Sequence, residues 1–385
     1  MDKISERSNY TITHLIYYFL KLGATGFGGP VALVGYMHRD LVEKRKWISE
    51  EDYKEGLALA QLAPGPLAAQ LAIYLGYVNY KITGATLTGL AFVLPSFLMV
   101  VILGYAYLQF GGLPWMQSVF YGVGAAVIGI IAISGYKLSK KTLAKDWVLW
   151  LIFLVLAVST VLTEQENIWL ILSGGFIVWF VRRSPSIFKK NNSILLPVFF
   201  LQIATQFTTN EKLLQIWWFF LKAGAFVFGS GLAIVPFLYG GVVNDYHWLN
   251  ERQFLDAVAV AMITPGPVVI TVGFIGFLVA GFPGACVAAL ATFLPCYLFT
   301  IIPAPYFRKY GKNRSIKAVV DGITAAAVGA IAGAVIVLAK RQFTDLPSLL
   351  IALVTALILI RFKRIQEPFI ILLAALAGLL IKNRM

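Results

Sequence analysis

Charge is scarce in this chain. Only 13% of its 385 residues are Asp, Glu, Lys or Arg, against 59% hydrophobic, and carboxylates are the scarcer sign, 18 to 32 basic residues. A soluble chain of this length could not bury so much apolar surface, so composition excludes an ordinary globular domain. Cysteine is scarcer still. Cys286 and Cys296 both lie in apolar sequence, which excludes a disulfide framework and leaves two packing thiols. His14, His38 and His247 are scattered and no His-Glu-x-x-His occurs, so no metal site is expected. There is no Gly-Lys-Ser/Thr phosphate loop, so ATP does not drive the chain directly, and no aspartate-rich diphosphate pattern. No cofactor is implied, and an enzyme becomes the weaker class. Residues 1–13 are polar and lack the charged, apolar, small-residue order of a cleaved signal.

What the chain has instead is long apolar runs. They recur from Thr86 to Phe110, Val119 to Gly135, Trp147 to Leu162, Ile168 to Val181, Ala285 to Ile302, Val319 to Ala339, Leu346 to Ile360 and Phe369 to Ile381. A bilayer crossing takes about 20 residues. The expectation is an all-α polytopic protein of the cell membrane, with the lipid bilayer as its surroundings and a cytoplasmic N-terminus. The net charge of +14 is no nucleic-acid footprint, because the basic residues sit in short loops between apolar runs, as cytoplasmic loops are marked.

The chain also repeats itself. At an offset of 201, Lys21 meets Lys222, Gly28 meets Gly229, Trp47 meets Trp248, and Pro64-Gly65-Pro66 meets Pro265-Gly266-Pro267. At 200, Gly76 meets Gly276, Leu94-Pro95 meets Leu294-Pro295, and Gly122 meets Gly322. This register predicts a fused duplication: a cytoplasmic segment 1–13, a first repeat 14–182, a connector 183–210 with one short crossing, and a second repeat 211–385. Equivalent loops carry opposite charge. Arg39, Lys44, Arg45 and Lys46 crowd one loop while its partner from Gly240 to Glu251 has no Lys or Arg. The loop Phe110 to Gln117 has none, while its partner carries Arg308, Lys309, Lys312, Arg314 and Lys317. That is the mark of inverted-topology repeats, a common transporter plan.

Each repeat contains two helix breaks, around Gly28-Gly29-Pro30 and Pro64-Gly65-Pro66 in the first. A residue before proline is pushed out of the helical region, and proline suits the first position of the next helix. The broken elements either span the membrane or re-enter as hairpins; loop charge favours hairpins. Non-helical backbone at that depth lines a cavity or is buried in protein. A helix starting after a break aims unpaired N–H groups and a positive dipole end into it, which suits an anion. Four breaks are expected to meet near mid-membrane. The bland reading, in which Gly and Pro only kink and pack helices, stays open.

The candidate contacts follow. Backbone at Gly28, Gly29, Pro30, Gly65 and Pro66 and its counterparts Gly229, Gly266 and Pro267 would face the anion. Lys21 and Lys222, charges inside apolar segments, would compensate it or snorkel to headgroups. Arg39 is a further candidate, and Gln61, Gln70, Ser230, Thr264 and Thr271 could donate or merely satisfy helix carbonyls. Glu55 and Asp256, at equivalent positions before the second breaks, are proton-coupling candidates or solvated loop acids.

Together these residues resemble the chromate ion transporter family. The resemblance rests on Phe19-Leu20-Lys21-Leu22-Gly23, Phe27-Gly28-Gly29-Pro30, Met37-His38-Arg39-Asp40, Leu62-Ala63-Pro64-Gly65-Pro66 with Gln70, and Phe92-Val93-Leu94-Pro95. Phe228-Gly229-Ser230-Gly231, Ile263-Thr264-Pro265-Gly266-Pro267 and Phe293-Leu294-Pro295 are similar to that family's C-terminal repeat. It implies the long two-domain form, exporting chromate from the cytoplasm by secondary transport. The family's glutamate after the first Pro-Gly-Pro is here Leu67. Sulfate as substrate, a passive anion channel and a membrane-embedded lipid enzyme are the alternatives, and a homodimer is left open.

Overall fold

The computed structural model describes residues 10–27, 29–110, 114–163, 168–182, 211–226, 228–229, 234–307, 313–343, 345–362, 365 and 367–382. The expected connector crossing in 183–210, with Gly28 and Ser230, lies outside them. The first half runs α1 (Ile12–Thr25), α2 (Gly29–Met37), α3 (Glu50–Leu62), β1 (Gly65–Pro66), α4 (Leu67–Phe110), α5 (Pro114–Leu143), α6 (Trp147–Thr163) and α7 (Ile168–Arg182). The second runs α8 (Glu211–Phe226), β2 (Phe228–Gly229), α9 (Ile234–Tyr239), α10 (Glu251–Ile263), α11 (Thr271–Ile301), α12 (Arg314–Gln342), α13 (Leu346–Arg361) and α14 (Glu367–Lys382). Among the described residues, four helical stretches are long and apolar enough to cross a membrane: Leu67–Phe110, Trp115–Lys140, Val268–Tyr306 and Lys317–Lys340. α6, α7, α13 and α14 supply shorter apolar helices.

Local chemistry sets the short helices beside the breaks. Ser49 caps α3 by accepting from the Asp52 amide at 3.0 Å, and Glu50, Glu51 and Asp52 complement the positive dipole end. Asn250 and Gln253 form a reciprocal box at the start of α10, at 2.9 and 3.0 Å. Each helix ends just before its Pro-Gly-Pro, as proline requires.

The chain then turns back on itself. Gly56 lies against the ring of Tyr74, although the two are equally far from Gly65 on either side. A straight path rising about 1.5 Å per residue would hold them well apart. α3 and the start of α4 are thus a helical hairpin with the break at its tip. α1 and α2 do likewise: Tyr10 stacks on Trp47 at 5.0 Å, and the Arg45 guanidinium lies 5.5 Å from the Tyr18 ring centre. α4 reverses again at Lys81, where φ is 51° and ψ −139°, so Gly76 packs on Gly84 and Thr88 Oγ1 donates to the Ala72 carbonyl at 3.0 Å. α11 repeats the reversal at Ala280–Gly281, with Gly276 on Gly284. The repeat register sets Lys81 opposite Gly281, and only glycine adopts that backbone without strain.

Beyond the hairpins the halves exchange partners. α5 packs on α13 and α14, while α12 packs on α6 and α7. The contacts correspond: Gly122 meets the Ala374 carbonyl, and Gly322 meets the Gly174 carbonyl. Hydrogen bonds at the rims are less alike. Arg182 donates to Asp146 at 2.7 Å and Asp321 at 2.6 Å, joining α7 and the turn before α6 to α12. On the other rim the Tyr121 hydroxyl donates to Asp345, which caps α13.

The Arg182 hydrogen bond holds the Asp146 carboxyl below its ordinary range. A depressed carboxyl adds stability above its unfolded pKa and loses it as pH falls through the folded value. The protein should therefore soften below about pH 4, the ordinary aspartate range. Asp146→Asn should be less stable at neutral pH and flatten that acid limb. Identical acid limbs in thermal melts of the two proteins would contradict the linkage.

Candidate functional site

The four breaks meet crosswise. The Gly266 amide, at the second half's second break, donates to the Gly26 carbonyl of the first half's first break at 2.9 Å. Gly65 and Pro66, at the first half's second break, pair as a parallel strand with Phe228 and Gly229 of the second half's first break. Each hairpin tip is therefore tied to a tip from the other half. The ties need unusual backbone: φ is +141° at Gly65 and +96° at Gly266. A Cβ on Gly65 would press on the Gln70 amide, and one on Gly266 would meet Ser96 Oγ.

Between the tips lies a small cleft of about 10 Å³, partly open to solvent. Pro30 and Leu33 form one side, Pro66, Leu67 and Ala68 another, and Gly266 to Val269 the third. The lining side chains are apolar, so its polar groups are those of the backbone. Helix starts at Leu67 and Val268 bring first-turn N–H groups that no carbonyl of their own helix reaches. With the dipole ends of α2, α4 and α11, they give a positive potential of the kind that suits an anion.

The predicted side chains divide into those near the tips and those away from them. Gln70 is fully buried; its Nε2 donates to the Pro64 carbonyl at 2.7 Å and pins the tip, leaving Oε1 without a partner among the described residues. Thr264 and Thr271 are buried too, but their hydroxyls donate at 2.7 Å to the carbonyls of Val260 and Val268. Of the two roles expected for them, helix satisfaction is the one present; only their lone pairs remain for a ligand. Gln61 is exposed, one turn before its tip. Lys21 and Lys222 are both exposed on α1 and α8 and do not line the cleft. Arg39 is exposed, holds Asp40 at 3.0 Å and covers the Tyr36 ring at 5.1 Å, away from the cleft lining.

The two acids part company. Glu55 is half-buried on α3, whereas Asp256 is 3% exposed and accepts a 2.7 Å hydrogen bond from the Tyr107 hydroxyl. Two residues escaped the sequence reading. Ser96 is fully buried beside Gly266 and donates to the Gly23 carbonyl at 3.2 Å; its signal was a hydroxyl directly after Leu94-Pro95, in an apolar run. Tyr107 had no local signal, since its value lies in reaching Asp256 from the other half. Among the described residues no His, Cys, Asp and Glu cluster could hold a metal.

Broken helices gathered at one cleft inside a multi-pass helical membrane protein are the construction of a transporter. The family model for the chromate transporter matches residues 13–179 and again 214–379, and the chain belongs to that family, a family of transporters rather than enzymes. It is 67% identical over 373 residues to the chromate transport protein of Cupriavidus metallidurans, covering 96% of this chain and 93% of the relative. It is 63% identical over 376 residues to the probable chromate transport protein of Synechococcus elongatus, covering 96% of each. The chromate transport protein of Pseudomonas aeruginosa is 30% identical over 385 residues, covering 94% of this chain and 91% of that one. No solved structure matches the chain.

Proposed function

We propose that this chain exports chromate from the cytoplasm across the cell membrane by secondary active transport, holding the anion in the cleft between breaks of both repeats. The crosswise bond from the Gly266 amide to the Gly26 carbonyl, with the Gly65–Pro66 strand pairing on Phe228–Gly229, carries this reading. It gathers proline-led helix starts from both repeats around one cleft. Chromate and sulfate share the tetrahedral dianionic form that such amides suit. The names of the relatives favour chromate.

In this reading the halves are inverted repeats, and the α1–α2 and α3–α4 hairpins with their counterparts are re-entrant. The chain reversals beside the tips support re-entry, and the opposite charge of equivalent loops supports inversion, with the N-terminus cytoplasmic. The hairpins are unequally packed. Phe254 to Met262 of α10 are buried without interruption, whereas only Tyr53, Gly56, Leu59 and Ala60 of α3 are. Such asymmetry between equivalent elements suits one side of the cleft being closed while the other is less so. Exchange of the two environments would give alternating access.

Lys21 and Lys222, exposed a turn before the tips, supply a positive field at the approaches. Their simultaneous change to Gln is expected to abolish uptake of labelled chromate into proteoliposomes. Wild-type flux in the double variant would remove both lysines from the account. Flux in the unmodified protein that cannot concentrate chromate under any imposed ion gradient or membrane potential would favour a passive channel instead.

A further inference from the structure

Glu55 and Asp256 are repeat partners, yet the fold gives them different surroundings. Asp256 lies within the buried row of α10, a helix that packs on α5, α11 and α14. Its hydrogen-bond donor, Tyr107, comes from the last turns of α4 in the other half. The Tyr107 ring is itself held edge-on by Phe120 of α5 and Phe274 of α11, both at 5.6 Å between ring centres. Phe274 stands in the first turn of α11, the helix that starts at the Pro265-Gly266-Pro267 tip. The acid, its donor and the cleft are thus in one packed assembly.

Among the described residues, few other ionisable groups bear on Asp256. Arg252 lies one turn earlier on α10 and is exposed; Tyr239 of α9 bonds instead to Glu251, at 3.1 Å. The residues that α5, α11 and α14 bury in this cluster are apolar, among them Val123, Val127, Phe274, Ile370 and Ile371. A carboxyl group removed from water with a single hydrogen-bond donor is costly to keep charged, and a proton removes that cost. The first half cannot build the same pair, because the register that aligns Gly122 with Gly322 sets Phe307 opposite Tyr107, and phenylalanine has no hydroxyl.

We propose that Asp256 is the proton-binding group of the transport cycle. Sealed against Tyr107 it holds its proton; when α10 parts from α5 and α14 the pair opens, and the proton exchanges with water. Movement of one hairpin and binding of one proton are then a single event, on one repeat only. Glu55 takes no part in it. This rests on the transport reading above.

The test uses the full chain in proteoliposomes, with labelled chromate and imposed pH gradients. Wild-type flux should respond to the gradient. Asp256→Asn should lose that response, falling to the level seen without a gradient, while chromate still raises its thermal midpoint. Glu55→Gln should keep the response, and Tyr107→Phe should shift the pH profile without abolishing transport. If Asp256→Asn does not fold, Asp256→Glu should fold with a displaced pH profile. A full gradient response in Asp256→Asn, an unmoved profile in Asp256→Glu and Tyr107→Phe, or loss of the response in Glu55→Gln would overturn the assignment. Failure of the transport reading looks different: chromate would neither stabilise nor cross with any of these proteins.

Discussion

Alanine at position 266 is expected to abolish chromate flux and to cost roughly 2–6 kcal/mol of stability, from backbone strain and overpacking together. Gly266 has φ +96°, a conformation that a side chain makes strained. Its added Cβ would meet Ser96 Oγ, with the Gly23 carbonyl at 3.2 Å. Ser96 is fully buried and bonded to that carbonyl, so it cannot swing aside freely. The tip would have to move, and the bond from the Gly266 amide to Gly26 would go with it. Gly65→Ala should be milder, because its Cβ would come to 2.7 Å from the longer Gln70 side chain, against a closer approach to Ser96 Oγ at Gly266. Size-exclusion profiles, thermal melts and labelled-chromate flux measure all three effects. A Gly266→Ala protein with wild-type melting and flux would remove the tip geometry from the account.

The second large effect is expected at the exchanged helices. Gly322→Val should prevent assembly or cost ~3 kcal/mol or more, because it overpacks a backbone contact. A Cβ there would strike the Gly174 carbonyl and come within 2.8 Å of the Gly175 Cα, so the obstacle is helix α7 itself. Within a bilayer, close backbone approach between small residues supplies much of the helix attraction, and lipid offers no hydrophobic force to replace it. Gly122→Val should behave the same way against the Ala374 carbonyl, since the two sites correspond. Gly35→Ala is the control: its Cβ would meet nothing within 4 Å. Thermal melts in detergent should place both valine variants well below the control. Equal midpoints would show that the exchanged contacts are not what holds the halves together.

Much of this was legible in the chain, and the limits have physical causes. The duplication was readable because each of its glycines and prolines answers a local backbone demand, which survives in both copies. Chain reversal at the Pro-Gly-Pro is favoured only by loop charge, since proline dictates where a helix stops but not the direction of the next. The reversal at Lys81 was invisible: a lysine in that backbone region contradicts local preference, and only Gly281 in the other copy hinted at it. Crosswise pairing of the tips depends on how the halves dock, which no local pattern encodes. The same limit hid the contrast between Glu55 and Asp256, two acids alike in sequence but not in burial. For Thr264 and Thr271, the residue type allows both roles, and the nearest carbonyls take the hydroxyl protons.

The central claim is that the cleft between tips of both repeats holds the oxyanion. Crystals grown with chromate, measured near the chromium absorption edge, test it most directly. The account predicts one anomalous difference peak per chain in the cleft bounded by Pro30, Pro66 to Ala68 and Gly266 to Val269, within hydrogen-bond reach of backbone amides. A bound chromate located elsewhere, on the exposed lysines or among the α5, α12 and α14 helices with the cleft empty, would contradict it.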